Sequence, residues 1–255
     1  MNQSSLARSA GMHVGLWSDV FAQAVRRDLQ FRSQTYTNAA SGVAELLLGM
    51  VPVLIITNVG GASGGWTGPL GIAVVGMFGL TTGLMDCFVS PNLRKFDSYV
   101  RRGDLDLILI RPVNAPLYAA LRWVEPAELG RSLAGLGLLS TGLFAAGVTL
   151  TPSGVASALG WAIVGLVAYS TLWANLVFMA FWVESAEPIN DVAAQLRTAG
   201  QYPVAYFPQW ARTGLGSIIP ASLLAAVPVQ QLVDVSGNLL LGAAGLIAGL
   251  LPRRA

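Results

Sequence analysis

Long apolar stretches separated by short polar segments dominate this chain. A helix needs about 20 predominantly apolar residues to cross the hydrocarbon core of a bilayer. Six stretches approach or exceed that length, at Asn38–Val59, Pro69–Ser90, Glu128–Leu150, Val155–Val183, Thr213–Leu232 and Ser236–Leu251. The pattern therefore predicts an all-α membrane protein with six transmembrane helices, in which spans 1 and 2 occupy residues 38–90, spans 3 and 4 residues 128–183, and spans 5 and 6 residues 213–255.

The last two of these stretches are less regular than the others. Prolines and polar residues interrupt them at Pro220, Pro228, Gln230, Gln231 and Asp234. An irregular backbone is tolerated at membrane depth where neighbouring protein covers it. A re-entrant or extracellular hairpin is therefore the alternative interpretation of this region.

Residues 1–37, before the first span, contain apolar side chains at helical spacing. These are Leu16, Trp17, Val20, Phe21, Ala24, Val25 and Leu29, and the basic residues Arg26, Arg27 and Arg32 lie close to them. A basic amphipathic helix of this kind is typical of the membrane interface. We expect an interfacial helix on the cytoplasmic leaflet, and the alternative is an amphipathic helix packed on the cytoplasmic loops.

Two longer polar segments separate the spans, at residues 91–127 and 184–212. Within the first, Leu93, Phe96, Tyr99 and Val100 recur at helical spacing. Such a stripe predicts an amphipathic helix that lies across the membrane surface between spans two and three.

The composition excludes an ordinary soluble protein. Hydrophobic residues make up 54% of the chain and charged residues only 11%, and the mean hydropathy is +0.60. Soluble domains carry about 25% charged residues. We therefore predict a single transmembrane domain over residues 1–255 with the lipid bilayer as a partner, and a net charge of +2 gives no indication of nucleic acid binding.

The basic residues supply the orientation, because cytoplasmic segments of membrane proteins are enriched in lysine and arginine. All of them fall in segments that the six-span pattern assigns to one side: Arg8, Arg26, Arg27, Arg32, Arg94, Lys95, Arg101, Arg102, Arg111, Arg122, Arg131, Arg197, Arg212, Arg253 and Arg254. We therefore predict a multi-pass protein of the cytoplasmic membrane with both termini in the cytoplasm.

The chain lacks the residues from which enzyme sites are built. Its one histidine, His13, precedes every span, and with the one cysteine, Cys87, it cannot form a zinc site. The one lysine, Lys95, stands outside any glycine-rich phosphate loop. We expect no catalytic residues, no metal and no cofactor in this chain, so that energy for transport has to come from a partner or from an ion gradient.

Two carboxylates, Glu45 and Asp86, fall well within the apolar stretches, toward their cytoplasmic ends. An ionisable group at membrane depth is by default a candidate functional residue. Both residues are therefore candidates for a translocation path, and an ion-coupled secondary carrier that uses them is the alternative function. The structural interpretation is that they pair with Arg32 or Arg94.

The segment from Asn92 to Asn114 resembles the cytoplasmic loop of small type-2 ABC exporter permeases, the ABC-2 family. In that family a short helix is followed by a glycine, acidic residues around a leucine, an apolar run and Arg-Pro-Val. Here these elements are Gly103, Asp104-Leu105-Asp106, Leu107–Ile110 and Arg111-Pro112-Val113. Residues 201–210 and 218–228 are similar to the family's entry into span five and its paired-proline outer turn, although alanines stand where aromatics are usual before the second proline.

This resemblance implies a permease subunit that exports a hydrophobic or amphipathic substrate with energy from a separate ATPase. It implies that the loop contains a coupling helix that docks on the ATPase, through Phe96, Tyr99, Val100, Arg101, Gly103, Asp104, Asp106, Arg111 and Pro112. The implied partners are a dimer of ABC ATPase subunits, which binds ATP and Mg, and a second permease that is identical or paralogous.

Overall fold

The computed structural model describes residues 21–28, 30, 32–60, 66–102, 122–179, 187–203, 206–207 and 220–233. Within these ranges the chain is helical and contains no β-strand. The α-helices are α1 (residues 21–28), α2 (Arg32–Gly60), α3 (Gly68–Phe88), α4 (Ser90–Arg102), α5 (Leu129–Ala145), α6 (Pro152–Phe178), α7 (Glu187–Thr198) and α8 (Ala226–Val233). Short 3-10 helices lie at Pro126–Glu128, Ala199–Gln201 and Pro220–Leu224.

Three of these helices are long and apolar enough to cross a membrane, namely Thr35–Thr57 within α2, Gly68–Phe88 and Pro152–Phe178. They coincide with the expected spans one, two and four. Helix α5 coincides with span three, but its 17 residues extend only about 26 Å at 1.5 Å per residue, less than the core thickness of about 30 Å. The chain is thus a multi-pass membrane protein, and the count of six spans stays a prediction.

Glycines set the close packing of α3 against α5. A Cβ atom on Gly76 would lie 2.2 Å from the backbone nitrogen of Leu139, and one on Gly135 would lie 2.3 Å from that of Leu80. No side chain fits in these places, so the two helices pack backbone to backbone. Gly79 and Gly83 belong to this seam, because a Cβ atom added at either would approach residues of α5 within 3.1 Å.

The helices α2, α3, α5 and α6 alternate in direction. We call the end where α3 passes into α4 the arginine-rich end, because Arg94, Arg131 and Arg197 lie there. The start of α2 lies at this end, and its last turns lie beside the start of α3, where Thr57 approaches Gly68. Helix α6 begins at the opposite end, where Thr151 caps it by accepting a hydrogen bond from the Gly154 amide at 3.1 Å.

Residues 187–207 differ from the polar loop expected at 184–212. Helix α7 packs along α6, where the Tyr169 hydroxyl donates to the Ala193 carbonyl and the Trp173 indole donates to Asn190 at 2.9 Å. The chain continues through the middle of the bundle, and the Tyr206 hydroxyl reaches the start of α3. The segment therefore runs from the arginine-rich end to the opposite end. A hydropathy pattern could not show this, because Asn190 and Arg197 meet partners inside the bundle, at Trp173 and Asp86.

The described part of the expected fifth span, residues 220–233, is not one continuous helix. It consists of the 3-10 helix Pro220–Leu224 followed by α8, which has eight residues. Two hydrogen bonds join it to neighbouring helices: Thr81 donates to the Leu224 carbonyl at 2.9 Å, and Ser157 donates to the Gln231 side-chain oxygen at 2.8 Å. The segment starts mid-bundle and ends near the start of α6. The described part of the expected span Thr213–Leu232 is therefore interrupted, and both the fifth span and the hairpin alternative stay predictions, because residues 213–219 and Ser236–Leu251 lie outside the described residues.

Helix α1 packs on the arginine-rich end rather than lying only along lipid. Phe21 stacks on Phe88 with ring centroids 6.4 Å apart, and Ala24 is buried beside Cys87 and Val124. This favours the alternative in which the amphipathic helix packs on the protein. Val25, from the same pattern, is half-buried. The remaining apolar positions lie outside the described residues, namely Leu16, Trp17, Val20 and Leu29.

Candidate functional site

A buried carboxylate forms the centre of the arginine-rich end. Asp86 lies in the last turn of α3, with its side chain only 5% exposed. Its Oδ1 lies 2.6 Å from Nη1 of Arg197 and 3.6 Å from Nη2 of Arg94, and its Oδ2 lies 3.2 Å from Nη1 of Arg131. The Ser90 hydroxyl also donates to Oδ1, at 2.6 Å. These contacts replace the water that the carboxylate loses on burial.

The partners of Asp86 come from different helices, Arg94 and Ser90 from α4, Arg131 from α5 and Arg197 from α7. Arg131 also pairs with Glu45 of α2. We call these residues the Asp86 cluster: Glu45, Asp86, Ser90, Arg94, Arg131 and Arg197. One carboxylate thus connects α3 with α4, α5 and α7, and α2 joins through Arg131.

The sequence identified both carboxylates of this cluster but only one of the pairs. The expected pair of Asp86 with Arg94 is present, although it is the longest of the three. Glu45 pairs with Arg131, and the side chain of Arg32 lies outside the described residues. The position of Arg131 at the start of span three could have indicated it as a partner for these carboxylates. Arg197 could not be found because its segment was expected to be a loop.

The apolar stripe of α4 faces the protein. Phe96 meets Phe178 of α6 edge to face, with ring centroids 5.3 Å apart. Tyr99 is only 6% exposed, and its hydroxyl accepts a hydrogen bond from the Trp123 indole. The Asn92 amide donates to the Trp123 carbonyl at 2.9 Å and its oxygen accepts from the Trp123 nitrogen at 2.8 Å. Phe96 and Tyr99 therefore hold α4 in place rather than projecting toward solvent.

Lys95 lies on the same helix, beside this aromatic group. Its Nζ is 3.5 Å from the centroid of the Trp123 ring, and the Arg122 guanidinium carbon lies 5.3 Å from that centroid. Burial lowers the pKa of Lys95, and the nearby Glu125 carboxylate partly opposes this shift. The one lysine of the chain thus sits on a helix over an indole ring.

The rest of the expected coupling segment lies outside the described residues, namely Gly103, Asp104, Asp106, Arg111 and Pro112. The structure describes the helical backbone at Val100 and Arg101 but not their side chains. Arg102 ends α4 with an exposed side chain.

A cavity of about 520 Å³ lies beside the Asp86 cluster, between α2 and α7. Its polar wall includes Glu45, Arg131, Arg197 and Gln201, and its apolar wall includes Leu46, Leu48 and Phe78. The two expected path residues are therefore in different positions: Glu45 lines the cavity, whereas Asp86 lies behind it and holds two of its arginines. The described residues contain no group of His, Cys, Asp and Glu side chains that could hold a metal ion.

Comparison with known proteins gives one family. Residues 43–251 match the model of a family described as ABC-2 family transporter protein. No curated protein and no solved structure matches the chain.

Proposed function

Since the chain belongs to the ABC-2 transporter family, we propose that it is the membrane-spanning permease subunit of an ATP-binding cassette exporter, powered by a separate ATPase subunit. The single lysine supports a separate ATPase, because a phosphate-binding loop needs a lysine after its glycines, and Lys95 instead lies in helix α4. ATP and Mg would be bound by the partner.

The Asp86 cluster is the observation that carries this proposal. An ATPase can drive transport only if its movement reaches the spans, and α4 is the helix that the family resemblance assigns to the ATPase contact. Arg94 and Ser90 fasten α4 to Asp86, and Arg131 and Arg197 fasten the same carboxylate to α5 and α7. A displacement of α4 would therefore act on α3, α5 and α7 through the buried Asp86 side chain, by way of the Ser90 hydrogen bond and the half-exposed Arg94 pair.

The contacts divide the proposed coupling residues into two groups. Phe96 and Tyr99 anchor α4 to the bundle, so they transmit force within this chain. The ATPase groove would then meet the end of the helix at Arg101 and Arg102 and the segment that follows. Arginine is well suited to such a contact, because its planar guanidinium makes paired hydrogen bonds with carboxylates.

The remaining parts of the proposal follow the same resemblance. A second permease, identical or paralogous, would complete the pathway above an ATPase dimer. The arginine-rich end would face the cytoplasm, with both termini on that side of the cytoplasmic membrane. The substrate would be hydrophobic or amphipathic and would move outward.

The test is a comparison of Arg102→Glu with Arg26→Glu, an exposed arginine of α1 at the same end. We expect Arg102→Glu to leave membrane insertion and thermal stability unchanged while ATPase co-purification and transport fall. Arg26→Glu should leave membrane insertion, thermal stability, ATPase co-purification and transport unchanged. Equal effects of the two variants would show a general response to charge and would contradict a joint at α4.

A linker variant tests whether helix α4 as a whole is needed for ATPase assembly and transport. Replacement of residues 96–102 by Gly and Ser should abolish both ATPase assembly and transport. If both survive, α4 is not the joint.

The ion-coupled carrier that uses Glu45 and Asp86 stays a prediction. Such a carrier would have to release Asp86 from its arginines during every cycle. Proton flux through liposomes that contain the isolated chain would favour it over the exporter.

A further inference from the structure

The cavity between α2 and α7 opens on a face of the bundle that carries polar side chains at membrane depth. Glu45 is 66% exposed, and it lies twelve residues before Thr57, the last residue of its candidate span. That distance is about 18 Å into a core of about 30 Å. Gln195 and Thr198 of α7 are also exposed and line the same cavity. We call the surface formed by Glu45, Gln195 and Thr198 the α2–α7 face. Acyl chains offer these groups no hydrogen bonds, so lipid is an unfavourable neighbour for it.

Exposed polar side chains elsewhere on the bundle are satisfied by their own helices. On α6, the Thr171 hydroxyl donates to the Val167 carbonyl and the Asn175 amide donates to the Thr171 carbonyl, both at 2.8 Å. On α5, the Ser140 hydroxyl likewise donates to a carbonyl of its own helix. The Gln195 amide, by contrast, has no hydrogen bond within the described part of the chain. The α2–α7 face therefore calls for a hydrogen-bonding neighbour that the outer faces of α5 and α6 do not need.

Two copies of this face complement each other. Copies that cross the membrane in the same sense are related by a two-fold axis along the membrane normal, so that each residue meets residues of equal depth. Because α2 and α7 flank the cavity, this axis sets α2 of one copy against α7 of the other. Arg131 bonds to Oε2 of Glu45, and no described residue bonds to Oε1. That oxygen can accept a hydrogen bond and the Gln195 amide can donate one, so the same contact forms twice.

Residues 236–251, the expected sixth span, are the competing occupant of the α2–α7 face. They contain no charged residue, and their polar side chains are Ser236 and Asn238, both at the start of the segment. The rest of the segment offers no hydrogen-bonding side chain to Glu45 or Gln195. A second copy supplies both a donor and an acceptor at the required depth, so it fits this face better.

We infer that the α2–α7 face binds a second copy of this chain, and that the Gln195 amide of each copy donates to the Glu45 carboxylate of the other. The two cavities then face each other and form one chamber between the copies. The inference rests on the proposed function, which it extends by making the second permease identical and by giving the face through which it binds.

Photo-cross-linking of the full-length chain in phosphatidylcholine liposomes, without any ATPase, tests what occupies the face. One copy carries p-benzoylphenylalanine in place of Thr198, and a second copy carries a different tag. Irradiation should give a covalent dimer with both tags and an adduct at residues 41–49 of the second copy. The matched control replaces Thr171, which is exposed on α6 and, like Thr198, bonds to its own helix, and it should give no dimer. Equal dimer yield from both positions would overturn the inference, as would adducts only to lipid or to residues 236–251 within a monomer.

The affinity of the dimer tests the hydrogen bond, measured by fluorescence energy transfer between labelled copies at increasing dilution in liposomes. Gln195→Leu should weaken dimerisation about eightfold, because two symmetric hydrogen bonds are lost and each is worth about threefold within a membrane. The matched control Asn175→Leu removes an exposed amide that bonds to its own helix, and it should leave the affinity unchanged. Unchanged or tighter dimerisation of Gln195→Leu would overturn the assigned contact, as would equal weakening by both variants.

These outcomes are separate from those that test the proposed function. A chain that stays monomeric but still assembles with an ATPase and transports would overturn this interface and leave the exporter proposal intact. A chain that forms the dimer but assembles with no ATPase would contradict the exporter proposal and leave the interface intact.

Discussion

Removal of the Asp86 charge should destabilise the fold. Loss of each of its partners should destabilise it less, the more exposed that partner's side chain is. Asp86→Asn keeps the shape of the side chain but leaves Arg197 without a counter-charge and Arg131 with only the exposed Glu45. The side chains of Arg131 and Arg197 are 11% and 10% exposed, so neither can reach water without moving. Breaking a buried pair by removing one partner costs about 3–5 kcal/mol, and we expect that loss here.

The partner variants should follow the same order. Arg197→Ala removes the 2.6 Å contact and should cost about as much as Asp86→Asn. Arg94 is 50% exposed and its contact is 3.6 Å, so Arg94→Ala should cost less than about 1 kcal/mol. Glu45 is 66% exposed, and Glu45→Gln should likewise cost less than about 1 kcal/mol.

Equilibrium unfolding in mixed detergent and sodium dodecyl sulfate micelles, followed by circular dichroism, gives these free energies. The double variant Asp86→Asn with Arg197→Ala completes a mutant cycle, and it should be less destabilised than the sum of the single variants. Equal costs of Arg94→Ala and Arg197→Ala would contradict this order, as would a free energy of unfolding for Asp86→Asn within about 0.5 kcal/mol of that of the parent.

Two further predictions concern packing and orientation. Gly76→Ala should destabilise the protein by about 1–3 kcal/mol, because its new Cβ would meet α5 backbone at 2.2 Å, whereas Gly137→Ala has nothing within 4 Å and should be neutral or slightly stabilising. Thermal stability of both variants in one detergent checks this, and equal losses would contradict the seam. A membrane-impermeant amine reagent should modify Lys95 in inverted vesicles and not in spheroplasts, and modification only in spheroplasts would reverse the proposed orientation.

The sequence was informative where a helix faces lipid along most of its length. Spans such as α2 and α6 expose large apolar side chains, among them Leu48 and Ile163, and their composition alone identifies them. Glu45 and Asp86 also stood out, because charge is rare in apolar stretches. These features are local, so a pattern along the chain can detect them.

The parts that could not be predicted depend on contacts between distant segments. Helix α7 is polar in sequence, yet Arg197 is buried because Asp86, far away along the chain, neutralises it. The stripe of α4 was located correctly, but nothing in it indicated that Tyr99 meets Trp123 of the same chain. The sequence around Gln201 is typical of a loop and does not indicate that its side chain packs against Gly49 of α2. An amphipathic pattern shows which face is apolar and leaves open what covers that face.

We propose that this chain is a permease whose energy comes from a separate ATPase. Its most direct test is ATP hydrolysis by the tagged chain purified from native membranes, measured with its co-purifying nucleotide-binding subunit and after that subunit has been stripped away. We predict hydrolysis that accompanies the partner and disappears with it, and loss of co-purification in Arg102→Glu but not in Arg26→Glu. Hydrolysis by the stripped chain would contradict the claim.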